Sequence, residues 1–270
     1  MSYQDDLKRH LSDYKRQSLR IREPGVFRYR GRDVLHDHIL PLANASRNLL
    51  EEAEPRASAF LAAYPGKRHR YFHHLNSSQA FAFNLFFPYF SGQPESASAL
   101  LRALGQEGVL AAWEPEAVPV PGEKTNIDIR WTTTDGRQTF CEVKLSEADF
   151  GKAANDARHR AKLKIYSQLL AIHLEPRRLE RLAFFDAYQF NRNVWHMVRE
   201  DRSRLIFLLP RSNHVLWKLL QKLLLGVLLG TRERISSVAI EDVIAGLSAD
   251  ERCPKKQRDY AKKLKQKYLI

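Results

Sequence analysis

Cysteine is nearly absent. The 270 residues contain two, Cys141 and Cys253, too few for a disulfide framework or a four-cysteine zinc site, which predicts a reducing, cytoplasmic setting. Long apolar runs are missing as well. The longest, 219–229, is interrupted by Gln221 and Lys222 and falls well short of the ~20 residues that a spanning helix needs. The opening residues, Met1 to Asp6, are polar and acidic, without the basic and apolar regions of a secretory signal. Together these absences predict a soluble protein with no membrane partner. No internal repeat, glycine-rich phosphate loop or Gly-x-Ser-x-Gly elbow occurs, which argues against solenoids, P-loop nucleotide chemistry and serine-hydrolase chemistry. Acid is in short supply beside base: 31 Asp and Glu against 44 Lys and Arg leave a net charge of +13. A polyanionic partner is expected, nucleic acid before anionic lipid. Basicity alone fits a structural nucleic-acid binder equally well.

The scarce acid is concentrated where a sheet usually carries none. Residues 125–131 and 138–144 alternate as two strands around an Asp135-Gly136 turn. Period-two alternation puts Glu142 and Lys144 on one face of the second strand and Asn126, Asp128 and Arg130 on one face of the first. A two-residue loop would set Asp128 opposite Val143. A three-residue loop, Thr134 to Gly136 with the glycine left-handed, sets Asp128 opposite Glu142, and that register is the one expected. Two facing carboxylates repel unless a divalent cation lies between them. Mg²⁺, with Mn²⁺ as substitute, suits one or two carboxylates plus water and phosphate oxygens, and Lys144 would stabilise charge developing in the transition state.

Asp128, a hairpin and then Glu142-Val143-Lys144 resemble the PD-(D/E)xK superfamily of restriction-endonuclease-like nucleases, with Ile127 in place of the proline. The resemblance implies an α/β (α+β) fold with an αβββαβ core and a central mixed sheet. It implies Asp128, Glu142 and the Val143 carbonyl as metal ligands and Lys144 as the catalytic lysine. The segments 75–80, 84–86, 150–152 and 188–193 resemble uncharacterised bacterial restriction-endonuclease-like proteins, and the likeness covers roughly 70–215. One domain is expected, with a helical extension at 1–70, a catalytic core at 71–212 and a basic helical extension at 213–270. The implied activity is metal-dependent hydrolysis of phosphodiesters, DNA before RNA, with a homodimer left open. The rivals are a catalytically silent nucleic-acid binder of the same fold, a subunit of a larger complex, and a basic structural protein.

Along the rest of the chain, helical spacing predicts helices near 1–22, 34–63, 76–88, 94–104, 155–174, 213–228 and 240–248. Strands are expected at 113–120, at an edge because of Pro115 and Pro119, at 181–188 and at 205–209. Gln79 opens an apolar helix and either faces the site or satisfies local backbone. Gln189 and Asn193, four apart on one helical face, are placed to meet substrate or attacking water. Arg158, Arg160, Lys162 and Lys164 form a basic face that is either solvated or tracks phosphates, opposite an expected stripe of Ala161, Ile165, Leu169 and Ile172. Arg192 joins them as a nucleic-acid contact. Phe27 to Arg32 interleaves aromatic and basic residues, and His36-Asp37-His38 lacks the spacing of a metal site. The tail at 255–267, with Tyr260, Leu264 and Tyr268 at four-residue intervals, is expected to dock with its lysines solvated.

Overall fold

A computed structural model gives the structure of residues 2–29, 31–123 and 125–270. The chain divides into two compact units, 1–110 together with 239–270, and 111–238.

In the first unit, α1 (Tyr3–Gln17) starts at Ser2, whose hydroxyl accepts from the Asp5 amide, and it buries Leu7 and Leu11. An antiparallel hairpin follows, β1 (Gly25–Tyr29) and β2 (Arg32–His36). It takes in the aromatic and basic stretch, of which Arg30 lies outside the described residues. No helix runs through 34–53. The chain is extended to His36, makes a 3-10 turn at Leu42–Asn48, and becomes α-helical only at α2 (Glu54–Ala63), with Pro55 in its first turn. Pro41 disfavours helix in the residue before it, and Pro55 is tolerated because first-turn amides have no intrahelical partner. Next come α3 (Ser78–Phe90), capped by the Ser77 hydroxyl, and α4 (Pro94–Ala103). Every residue of α3 from Gln79 to Phe90 is buried, as befits a helix apolar on all sides.

The second unit carries a five-stranded sheet. Its elements are β3 (Leu110–Ala117), β4 (Ile127–Thr133), β5 (Gln138–Val143), α5 (Ala157–Leu170), α6 (Pro176–Leu179), α7 (Arg181–Asp186), α8 (Tyr188–Val198), β6 (Arg204–Leu209), α9 (His214–Leu224), α10 (Leu229–Arg232) and β7 (Ile235–Ala239). The strand order is β3-β4-β5-β6-β7, with β4 antiparallel and β6 parallel to β5. This is the mixed, helix-flanked central sheet expected of an α+β restriction-endonuclease-like fold, and β3, with Pro115 in it, is an edge strand as expected. Phe140, Phe150, Tyr166, Phe190 and Phe207 anchor the core.

Two expectations for this unit fail. Residues 181–186 are helix, not strand: the run Leu182-Ala183-Phe184-Phe185 buries both phenylalanines and leaves Leu182 at the surface. A short apolar run has no period by which to tell strand from helix, and the parallel partner of β5 is β6 instead. The apolar stripe of α5 is also misplaced. Ile165 and Ile172 are exposed, while Tyr166 and Leu170 are buried, because the Tyr166 ring packs 4.7 Å from Trp195 and sets the helix's rotation.

α11 (Ile240–Ala249) and α12 (Lys255–Tyr268) complete the first unit. The tail docks: Tyr260, Leu264 and Tyr268 are buried, and Lys255, Lys256, Lys262, Lys263 and Lys265 stay exposed. Lys267 is the exception. Its ammonium is buried, donates to Asn48 Oδ1 at 2.9 Å and lies 4.9 Å from the Tyr268 ring. Burial lowers its pKa from 10.5 to about 7. The unfolded chain therefore binds this proton more tightly than the folded one, so the penalty is full below pH 7 and disappears as pH rises toward 10.5. Unfolding midpoints in urea from pH 6 to 9.5 should climb more steeply for the wild type than for Lys267→Met; parallel profiles would refute the assignment.

Candidate active site

The β4–β5 turn fixes the site's register. Gly136 adopts φ +78°, its amide donates to the Thr133 carbonyl at 2.8 Å, and the Thr133 amide donates to Arg137 at 3.0 Å. The ladder then pairs Thr132 with Gln138, Trp131 with Thr139, Arg130 with Phe140 and Ile129 with Cys141. Its next step sets Asp128 against Glu142. The three-residue loop is the one expected.

Asp128 accepts the Val143 amide on Oδ2 at 2.7 Å. Its carboxyl is pushed well above the ordinary range by burial first, then by Glu142 and Glu116, against the smaller pull of Lys144 and the Val143 amide. Glu142 is 1% exposed, and both of its oxygens have partners. Oε1 accepts from Gln189 Nε2 at 2.6 Å and pairs with Lys144 Nζ at 3.0 Å, while Oε2 accepts from Asn193 Nδ2 at 2.8 Å. Lys144 also donates to Gln189 Oε1 at 2.7 Å. One amide thus clamps the glutamate and the lysine together. Burial alone would lower the Lys144 pKa, but Glu142, Glu147 and Asp128 outweigh it and hold the ammonium up to about 12. Glu147 is itself fixed by the amides of Leu145 and Ser146, at 2.8 and 2.9 Å.

The start of α8 is seated by a glycine. Gly151, at φ +65°, accepts the Gln189 amide on its carbonyl at 3.3 Å. A methyl group there would lie 2.9 Å from Gln189 Oε1, so any other residue would press the clamp out of place. Arg192 and Asn193, expected at nucleic acid, are occupied inside the protein. Arg192 donates to the Asn126 carbonyl at 2.9 Å and to Asn193 Oδ1 at 3.2 Å, which aims the Asn193 amide at Glu142. Sequence reasoning missed Glu116, a buried residue at φ +50° that accepts from Asn126 Nδ2 at 2.9 Å. Its only signal was the irregularity that Pro115 brings to an edge strand.

The other candidates are placed as follows. Gln79 belongs to the first unit, where its amide accepts from the His69 amide at 2.8 Å and donates to the Lys67 carbonyl at 2.7 Å. On α5, Arg158 and Lys164 are exposed, Arg160 donates to the Asn155 carbonyl at 2.7 Å, and Lys162 is bound to the Glu123 carboxylate. Among the described residues no group of three or more His, Cys, Asp or Glu side chains could hold a metal. Asp128 and Glu142 bring two carboxylates, hard oxygen donors, to one place on the sheet.

A family model described as restriction endonuclease associating with ARP matches residues 8–269. The chain belongs to that family. No curated protein and no solved structure matches it. In this restriction-endonuclease family member the match takes in both units, and the polar cluster of β4, β5 and α8 is where the second unit gathers its buried charge. Among the described residues no helix is long and apolar enough to cross a membrane.

Proposed function

We propose that the chain is a metal-dependent nuclease of PD-(D/E)xK type that hydrolyses phosphodiester bonds in DNA. The observation that carries the reading is the opposition of Asp128 and Glu142 with Lys144 clamped beside them. The family match supports nuclease chemistry. Asp128, Glu142 and the Val143 carbonyl would hold Mg²⁺ or Mn²⁺, with Ile127 standing where the superfamily has proline. When bound, such a cation supplies a water of lowered pKa and neutralises charge on a phosphoryl oxygen. Lys144, kept protonated by its acidic neighbours, offers a fixed positive charge to the oxygen on which negative charge builds. Gln189 and Asn193 hold Glu142 in one orientation, so the carboxylate need not reorganise. An alternative, in which the chain acts as one part of an assembly, has the family's described association with ARP in its favour.

Thermal unfolding across a Mn²⁺ titration tests the reading. At a hundredfold excess over Kd, binding should stabilise the wild type by about 2.7 kcal/mol, a rise of several degrees. Asp128→Asn should start higher without metal, because it removes a buried carboxyl whose ionisation is opposed by burial and by Glu142 and Glu116, and should shift far less on titration. Equal shifts in the two proteins, or none in either, would remove the two-carboxylate site.

A further inference from the structure

A cleft of about 880 Å³ in the second unit is walled by α6, α7, the end of α9 and the loop that carries Asp149 and Lys152. Four of its lining residues are Lys152, Arg177, Arg178 and Lys222. Arg178 is unusual among them. Its guanidinium is packed inward, 6.0 Å from the Phe190 ring, and one nitrogen donates to Asn191 Oδ1 at 3.1 Å, while Nε is buried without a hydrogen-bond partner. No described carboxylate pairs with it: the nearby charge that most affects it is Arg177, another cation. Gly226 makes the packing possible, since a methyl group there would lie 2.6 Å from Arg178 Cγ. Three acids line the cleft as well, of which Glu180 is exposed. Asp149 accepts the Gly151 amide at 2.9 Å, and Asp186 pairs loosely with Lys152 at 3.9 Å.

The Arg178 guanidinium is half-buried and stays charged, and with its Nε hydrogen unpartnered and no counter-ion beside it, it gains from an anion that reaches it. Guanidinium groups match phosphate by two parallel hydrogen bonds. We propose that this cleft is a phosphate subsite for the nucleic-acid backbone, with Arg178 at its base and Arg177, Lys152 and Lys222 at its rim. This rests on the nuclease reading and adds to it a place for a phosphate other than the one cleaved. The cleft is also built from the catalytic framework. Its wall at Asp149 leads into Gly151, on which Gln189 is seated, and Asn191, which holds Arg178, lies on α8 between Gln189 and Asn193. A strand anchored at Arg178 would therefore press on the element that orients Glu142 and Lys144.

The test uses the 270-residue chain carrying Asp128→Asn, which keeps an oligonucleotide intact without stranding a buried charge, and measures DNA affinity against salt with and without Arg178→Gln or Lys222→Gln. Each substitution should weaken binding about tenfold and lower the slope of log affinity against log salt by about one. Lys222 is exposed, so its variant reports on the cleft even if Arg178→Gln fails to fold. In a second arm, inorganic phosphate is titrated against thermal stability. Unchanged affinity and slope in both variants would overturn the subsite while Asp128→Asn still tests the nuclease reading by its loss of cleavage. Stabilisation by phosphate that depends on Arg178, without any DNA binding, would overturn it too, since the cleft would then take a free anion and no strand.

Discussion

Lys144→Met should reduce phosphodiester cleavage by about 10²–10³-fold or more, the loss that follows removal of one preorganised charge donor at a reacting oxygen. It should also destabilise the protein. Lys144 and Glu142 are both buried and lie 3.0 Å apart, and deleting one member of a buried pair leaves the other charge uncompensated, at about 3–5 kcal/mol. The two effects separate in the double variant Glu142→Gln with Lys144→Met. Stability should return, because Glu142 no longer leaves a stranded charge and the glutamine carbonyl oxygen still accepts from Asn193 while Gln189 turns its amide oxygen to accept from the glutamine NH2, yet cleavage should not. Cleavage rates and urea midpoints on the four proteins complete the cycle. A Lys144→Met protein that cleaves at the wild-type rate would end the assignment, and a double variant no more stable than the single one would show that the pair is not coupled as drawn.

Removing residues 255–270 should abolish the cooperative unfolding of the unit formed by 1–110 and 239–270. α12 is not an appendage. Tyr260 donates its hydroxyl to the Asn84 carbonyl at 2.6 Å, Asn84 Nδ2 donates to the Tyr268 hydroxyl at 2.7 Å, and the Tyr268 ring meets Phe81 edge-on at 4.8 Å. Truncating one large buried side chain costs roughly 2–5 kcal/mol. Losing Tyr260, Leu264 and Tyr268 together costs as much as the ~5–15 kcal/mol that holds a typical domain folded. Hydrogen exchange along α3 reads the outcome: its amides should lose protection in the truncated chain, and protection at the wild-type level would refute the role given to α12.

The site was legible in the sequence to the extent that local rules governed it. Alternation and the demand of Gly136 for a left-handed turn placed Asp128 against Glu142, and the four-residue spacing of Gln189 and Asn193 put both on the face that meets Glu142. What escaped was set by partners far along the chain. The rotation of α5 depends on the contact of Tyr166 with Trp195, which no periodicity within α5 contains. The helix at 181–186 and the strand β7 depend on which apolar face the sheet leaves open. Glu116 reaches the site through a backbone conformation rare outside glycine, and the break that Pro115 brings to the strand does not say which way its side chain turns. The basic character of Arg192 and Lys162 pointed outward to phosphates, whereas their first use is to tie Asn126 and Glu123.

Because residues 111–238 interrupt the first unit, the order of translation separates the two units in time. The second is one continuous segment and can fold as soon as the ribosome releases it. The first cannot close until α12 has been made. At roughly 5–20 residues per second, α3 waits on the order of 9–37 s for the helix that covers Phe81 and satisfies Asn84. During that interval the face of α3 that α12 covers lies bare on the nascent chain, while α2 and α4 already pack on the rest, and this face is a natural substrate for a chaperone and the point at which overproduction would first lead to aggregation.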